Sequence, residues 1–319
     1  MIVVKDLVKK YGDKTAIDGI SFSIKSGEIV GLLGLNGAGK STTMNCLTGY
    51  IAPTSGSIII DGNDLLKDPD KAKKVIGYLP EVFSFYPDMR VVEYLDFICD
   101  LKGYTKNKQA RKEHIEEICR QVGIYELRGR MIRNLSKGYK QRVGFAQALI
   151  GHPKVLILDE PTVGLDPSQI IEIRQLIRDS GKESTVIVSS HILSEIQTIC
   201  DRVIVIHDGH IAADGSPKHL EEALGNANEV NIRVRGAHAD IDRVIRATGA
   251  VRRYSRLQPQ EDGCEDYIIV GKDGVDVREK LFRGFAQAGI PLLQIYGKEA
   301  SLENIFLRLT GKNEKAGDK

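Results

Sequence analysis

Near the start of the chain, apolar and polar positions alternate loosely. The pattern predicts strands over Ile2–Val8 and Ala16–Ile24, as in an antiparallel layer. A continuous apolar run, Glu28–Leu33, reads as a buried strand, and Ser41–Thr48 as a short helix. Strands follow at Ser57–Ile60 and Val75–Leu79, set off by turn-forming residues at Pro53–Gly56 and Asp61–Asn63. From about Val91 to Ile150 the character changes. Apolar residues recur at helical spacing and β-branched runs vanish, which predicts a helical insert ending in an amphipathic helix over Lys140–Ile150. Buried strands return at Val155–Leu158 and Thr185–Ser190, and Val203–His207 with Ile211–Ala213 reads as a hairpin.

Beyond residue 224 the pattern starts afresh. Strands are predicted at Glu229–Val234, Val251–Leu257, Tyr267–Val270 and Leu292–Tyr296, with helices at Ala239–Thr248 and Val275–Gly289. That β-α-β-β-α-β order predicts a ferredoxin-like unit, a fold with many uses. A last helix, Ser301–Leu309, carries Leu302, Ile305, Phe306 and Leu309 as an apolar stripe, suited to packing on its own domain or to a dimer contact. Residues 311–319 are polar and expected to be disordered. The expected domains are therefore 1–224, with a helical subdomain at about 82–150, then 225–310 and a tail.

Composition narrows the class. The chain has 319 residues, 42% hydrophobic and 28% charged, which is ordinary folded material with no apolar run long enough to cross a bilayer. The start does not resemble a cleavable signal peptide. The 5 cysteines are scattered without CxxC or a His/Cys cluster, which argues for a reducing cytoplasm and against a structural metal. A net charge of +2 gives no global nucleic-acid field, and the basic stretch Lys106–Lys112 is followed at once by Glu113, Glu116 and Glu117, as on a solvated helix.

The chemistry begins at Gly34–Ser41, Gly-Leu-Asn-Gly-Ala-Gly-Lys-Ser, which fits the phosphate-binding P-loop G-x-x-x-x-G-K-[ST]. A triphosphate crowds negative charge. Glycines let successive backbone N–H groups approach it, Lys40 adds a cation for the outer phosphates, and Ser41 offers a hydroxyl to Mg²⁺. The apolar strand before the loop and the helix after it supply the required context. Farther on, Val155–Leu158 runs into Asp159 and Glu160. Asp159 at the strand end suits Mg²⁺, and Glu160 suits orienting or deprotonating the attacking water. His191 ends another buried strand, where it could reach a γ-phosphate or its water. Leu135–Tyr139 precedes an amphipathic helix, so Ser136 reads either as a common N-cap or, with the Gly138 backbone, as a second anion site. Tyr11 reads as a half-buried packing residue or as an aromatic able to stack on a purine.

Taken together, these motifs over roughly Met1–Leu224 resemble the ATP-binding subunit of an ABC transporter. The resemblance implies an α/β P-loop NTPase of the ABC ATPase kind, with a helical subdomain and the C-terminal α+β domain beside it. It implies Tyr11 as the adenine-stacking residue and Gly34–Thr42 as Walker A, with Asn36, Gly37, Ala38, Gly39, Lys40, Ser41 and Thr42 around the phosphates. Leu135–Tyr139 becomes the signature motif, Asp159 and Glu160 Walker B, Leu165 and Asp166 the D-loop, and His191 the switch histidine. The signature in this family acts in trans, two subunits sandwiching ATP head to tail, so the chain should need a second copy or a paralogue.

Two departures stand out. The usual signature is Leu-Ser-Gly-Gly-Gln, but Lys137 replaces the first glycine and Tyr139 the glutamine, while Ser136 and Gly138 are kept. The loop after Leu79 usually carries a glutamine that senses Mg²⁺ and water, where Glu81 stands instead. A carboxylate can ligate Mg²⁺ but donates no hydrogen bond unless protonated. Both changes, and the C-terminal tail, are similar to those of drug-resistance-type and gliding-motility-type exporter ATPases. The implied protein hydrolyses ATP with Mg²⁺, using Glu160 with His191 and Lys40, and drives a separate membrane-spanning permease docked near Glu81 and the helical insert. It would sit in the cytoplasm, peripheral to the inner face of the cell membrane, with no nucleic-acid partner. A soluble ABC ATPase acting on ribosomes or DNA usually carries paired ATPase halves or a coiled-coil insertion, and neither is seen. A nucleotide-gated switch with little turnover would have Glu81 as its support, against an intact Walker B.

Overall fold

The computed structural model describes residues 1–104, 107–224, 229–272 and 275–297, with Leu193 and residues 221–224 described by their backbone alone. The chain divides into two compact units, Met1–Pro217 and Lys218–Lys319, a break slightly ahead of the boundary read at residue 224.

The first unit opens with β1 (Ile2–Tyr11), β2 (Lys14–Ile24) and β3 (Ile29–Leu33), then helix α1 (Lys40–Leu47). Next come β4 (Ser55–Ile60), the short β5 (Asn63–Asp64), α2 (Pro69–Lys74) and β6 (Ile76–Leu79). The helical insert follows as α3 (Val91–Leu101), α4 (Lys108–Gln121) and α5 (Lys137–Leu149). The unit continues with β7 (Val155–Leu158), α6 (Pro167–Gly181), β8 (Thr185–Ser190), α7 (Leu193–Ile199), β9 (Arg202–His207) and β10 (His210–Gly215).

Two sheets result among the described residues. The antiparallel one runs β2-β1-β4-β5, and the larger runs β10-β9-β3-β8-β7-β6, parallel except for β10 on its edge. β3, β7 and β8 are buried at every position, as parallel strands covered on both faces must be. One face, carrying Val30, Leu32, Ile157 and Ile204, shares a core with the antiparallel sheet and with Met44 and Leu47 of α1. On the other face α7 presses so closely that a Cβ on Gly31 would stand 2.5 Å from Ile196 Cγ2. The register then sets the site. Leu33 lies opposite Ser190, Leu158 opposite Val188 and Leu79 opposite Leu158. The residues following these strands, Gly34, His191, Asp159 and Glu81, are thereby delivered to one carboxyl edge of the sheet, the usual place for ligands in such folds.

Helix α5 starts at Lys137, ahead of the predicted Lys140, because Ser136 caps it and accepts the Tyr139 N–H at 3.5 Å. Helix α6, not foreseen from the pattern, is likewise started by Asp166, which accepts the Gln169 N–H at 2.9 Å, with Pro167 in its first turn.

Helix α8 (Pro217–Leu224) starts at the break, and the second unit goes on with β11 (Glu229–Val234), α9 (His238–Ala247), β12 (Val251–Arg256), β13 (Glu265–Gly271), α10 (Arg278–Gln287) and β14 (Leu292–Gly297). Its antiparallel sheet has the order β12-β13-β11-β14, the ferredoxin-like arrangement. Ile232, Val234 and Tyr267 from the sheet pack with Ile241, Leu281 and Phe285 from α9 and α10. The helix expected over Ser301–Leu309 and the tail after it lie outside the described residues.

Candidate active site

The P-loop turns between β3 and α1 on glycines that have little alternative. Gly39, the residue before the helix, has φ of +114°, and a Cβ there would stand 2.7 Å from the Ala16 carbonyl oxygen. A Cβ on Gly34 would stand 2.6 Å from the Ile206 carbonyl oxygen. The loop and the start of α1 form one wall of a cleft of about 460 Å³. Its other walls come from Tyr11, Lys14 and Ala16 of the first hairpin, and from Glu81, Glu160, Val163 and His191.

Lys40 is buried, and its ammonium donates to the Gly34 carbonyl at 2.8 Å and the Leu35 carbonyl at 3.4 Å. Burial pushes its pKa down, opposed by the negative charges of Glu160, Asp159 and Glu81. The cation sits in the first turn of α1, where the helix dipole is also positive. An anion held by the loop would relieve both penalties.

Across the cleft, Glu160 is buried and has φ of +47°, a left-handed backbone uncommon outside glycine. One carboxylate oxygen, Oε1, lies 3.9 Å from Lys40 Nζ, and the other, Oε2, lies 2.9 Å from His191 Nδ1. The turn is pinned by Ser189, whose hydroxyl accepts the Glu160 N–H at 2.8 Å and donates to Asp159 Oδ1 at 2.6 Å. Asp159 is buried, and desolvation raises its pKa, with Glu81 and Glu160 adding to the shift and Ser189 and Lys40 opposing it.

The residues named from sequence divide by place. Tyr11, Asn36, Gly37, Gly39, Lys40, Ser41, Thr42, Glu81, Glu160 and His191 all line the cleft. Tyr11 lines the cleft and is 50% exposed, with the Lys9 ammonium over its ring at 5.1 Å from the centroid. Ala38 turns its methyl into the core, and its N–H donates to the Leu35 carbonyl at 3.1 Å. Asp159 lies beneath the lining residues. Ser136 and Gly138 line no part of this cleft. Ser189, Lys14 and Val163 belong to no motif read from the sequence; the signal for Ser189 is a hydroxyl pair closing an otherwise apolar strand.

Ser41 and Glu81 line the cleft and Asp159 lies close to it, and all three carry oxygen donors, the ligand type that hard cations take. Elsewhere among the described residues, His114, Glu117 and His152 bring ligand atoms within 4.8 Å of one another. His114 Nε2 already accepts the Gly151 N–H at 3.1 Å, which places the proton of the neutral ring on Nδ1 and leaves the trio a poor metal cradle.

Residues 17–163 match the family model described as ABC transporter. The chain is 37% identical to the bacitracin transport ATP-binding protein of Bacillus licheniformis, over 98% of this chain and 97% of that one. It is 34% identical to the linearmycin resistance ATP-binding protein of Bacillus subtilis, over 98% and 99% respectively. Among solved structures, an ATP-binding subunit of an ABC transporter superposes with a TM-score of 0.64 at 29% identity, covering 70% of this chain and 93% of that one. A dimeric post-hydrolysis ATP-binding cassette bound to ADP and Pi superposes with a TM-score of 0.62 at 26% identity, covering 68% and 98%.

Proposed function

This chain belongs to the ABC transporter family as an ATP-binding, ATP-hydrolysing subunit, and from that premise we propose how its residues divide the work. ATP lies with its base on Tyr11 and its phosphates on the loop Asn36–Thr42, where Lys40 meets the outer phosphates. The observation that carries this reading is the placement of Glu160 between Lys40 and His191, at 3.9 Å and 2.9 Å, on the edge of the P-loop cleft. Glu160 is the general base that orients and deprotonates the attacking water, and His191 holds its carboxylate in place. The cleft also accepts Mg²⁺ by the chemistry of its donors: Ser41, Asp159 and Glu81 would hold it. When bound, the ion neutralises charge on the phosphate oxygens. It would also favour an ionised Asp159, which burial disfavours.

Ser136 and Gly138 serve a second subunit. They complete the nucleotide site of a partner cassette in a head-to-tail dimer, because their own cleft excludes them. Closure and reopening of that dimer pull on a permease docked near Glu81 and the helical insert, holding the chain at the inner face of the membrane. No helix among the described residues is long and apolar enough to cross a membrane by itself. Two relatives are named for bacitracin transport and linearmycin resistance. By that likeness the transporter exports an antibiotic-type compound, chosen by the permease.

The test is a tagged pull-down of the chain from detergent-solubilised membranes beside the soluble fraction. A stoichiometric polytopic membrane protein is expected. Recovery only as a free species, or with ribosomes or nucleic acid, would overturn the coupling to a permease.

A further inference from the structure

The first turns of α5 are fastened to the segment that follows Glu160. Gln141 Nε2 donates a buried hydrogen bond of 2.6 Å to the Pro161 carbonyl, and Arg142 pairs with Glu172. Gly138 lies flat on Gln169: a Cβ there would stand 2.5 to 2.7 Å from the side-chain amide atoms. Lys137 lies across Gly164 in the same way. A Cβ on residue 164 would stand 3.0 Å from Lys137 Cε and 3.6 Å from Cδ, and would overlap Nζ. Gly164 has φ of +71°, so the backbone there turns sharply under the lysine. From the other side, Thr162 Oγ1 donates to the buried Glu195 Oε2 at 2.5 Å, and Ser190, next to His191, donates to the same oxygen at 3.3 Å.

Residues 161–166 are thus gripped between the head of α5 and the segment that carries His191. We infer that Lys137 is a positioning residue for ATP hydrolysis: its exposed side chain, laid over Gly164 by Nζ, Cε and Cδ in order of approach, fixes the turn that follows Glu160 and so the carboxylate itself. A glycine at position 137, as in the usual signature, has no stem to make this contact. Lys137 and Gly164 are therefore a matched pair, since a side chain at 164 would displace the flexible end of the lysine and would itself be strained at φ of +71°. The contact joins the signature, which serves a neighbouring cassette, to the catalytic carboxylate of its own chain. The inference rests on Glu160 acting in the P-loop cleft.

The test is steady-state ATPase kinetics on Lys137→Gly, Lys137→Met, Gly164→Ala and the Lys137→Gly/Gly164→Ala double variant, with Glu160→Gln alongside. Lys137→Gly should lower kcat about five- to fiftyfold with KM for ATP within about twofold of the parent. Lys137→Met, which keeps the stem and drops the charge, should stay within about threefold of the parent. Gly164→Ala should lose kcat comparably, and the double variant should fall no further than its worse single member. Lys137→Met as impaired as Lys137→Gly would assign the role to charge and overturn the inference. Losses that multiply in the double variant, or a Lys137→Gly change confined to KM, would do the same. If Gly164→Ala fails to fold, the Gly and Met variants at 137 decide alone. Normal turnover in Glu160→Gln would sink the reading of Glu160. An inactive Glu160→Gln beside a fully active Lys137→Gly would sink only the positioning role.

Discussion

His191 Nδ1 and Glu160 Oε2 stand 2.9 Å apart, one side chain 45% exposed and the other 7%. The buried carboxylate is held from the open side of the cleft by a ring that can reach a ligand. Glu160→Gln keeps the shape and removes the base, so nucleotide binding should persist while kcat falls by at least about a hundredfold. His191→Ala frees the carboxylate without deleting it, and a smaller loss of kcat is expected. Binding of a fluorescent ATP analogue beside phosphate release separates the two effects. Undiminished hydrolysis by Glu160→Gln would remove it from the base role.

Ser189 holds two buried groups at once, the Asp159 carboxylate and the Glu160 N–H. Ser189→Ala leaves both without that partner. A stability loss of about 1–3 kcal/mol is expected by urea unfolding, together with a drop in kcat. The neighbouring Ser190 bonds Glu195 and not this pair, so Ser190→Ala should cost less kcat than Ser189→Ala, and an equal drop would contradict the special place of Ser189.

Asp159 links activity to pH through stability. Its pKa is raised in the folded chain, chiefly by burial. Between the ordinary carboxylate pKa and that raised value the folded state binds more protons than the unfolded state. Stability therefore falls as pH rises through this window, and the penalty is fully present above it. Asp159→Asn, which can still accept from Ser189, should abolish turnover yet raise the nucleotide-free melting temperature at neutral pH. The gap should close as the solution is acidified through the raised pKa. A gap that widens on acidification would reverse the sign argued here.

Lys40 carries the complementary penalty, its ammonium buried in the positive first turn of α1. Lys40→Ala should weaken ATP binding by at least about a hundredfold, since a charge-assisted phosphate contact from a buried ammonium is lost. Isothermal titration with ATP measures this directly. Unchanged affinity would contradict the P-loop assignment.

Much of this was legible in the sequence because the signals were local. Gly34–Ser41 announces its own geometry, and the runs before Asp159 and His191 are apolar enough to be buried strands wherever they fall. The register that brings their ends together was not legible, since parallel pairing such as Leu33 opposite Ser190 joins residues far apart in sequence. Ser189 was missed for that reason: its two partners lie on the neighbouring strand's end. Local signals also misplaced boundaries. The signature residues Lys137–Tyr139, read as a loop before a helix, are the first turn of α5 itself. Helix α6 is absent from the elements predicted above, although Asp166 and Pro167 mark its start.

Ser136 and Gly138 lie outside the cleft that their own chain builds. On the head-to-tail pairing proposed above, a single cassette cannot turn over at infinite dilution. In free solution its specific activity should climb with chain concentration, with a kinetic order above one, even when ATP is saturating. On a permease that seats two cassettes side by side, that dependence disappears, because proximity no longer has to be found by diffusion. Fuel is then burned only where it can be converted into movement, and subunits made in excess idle without draining the cell.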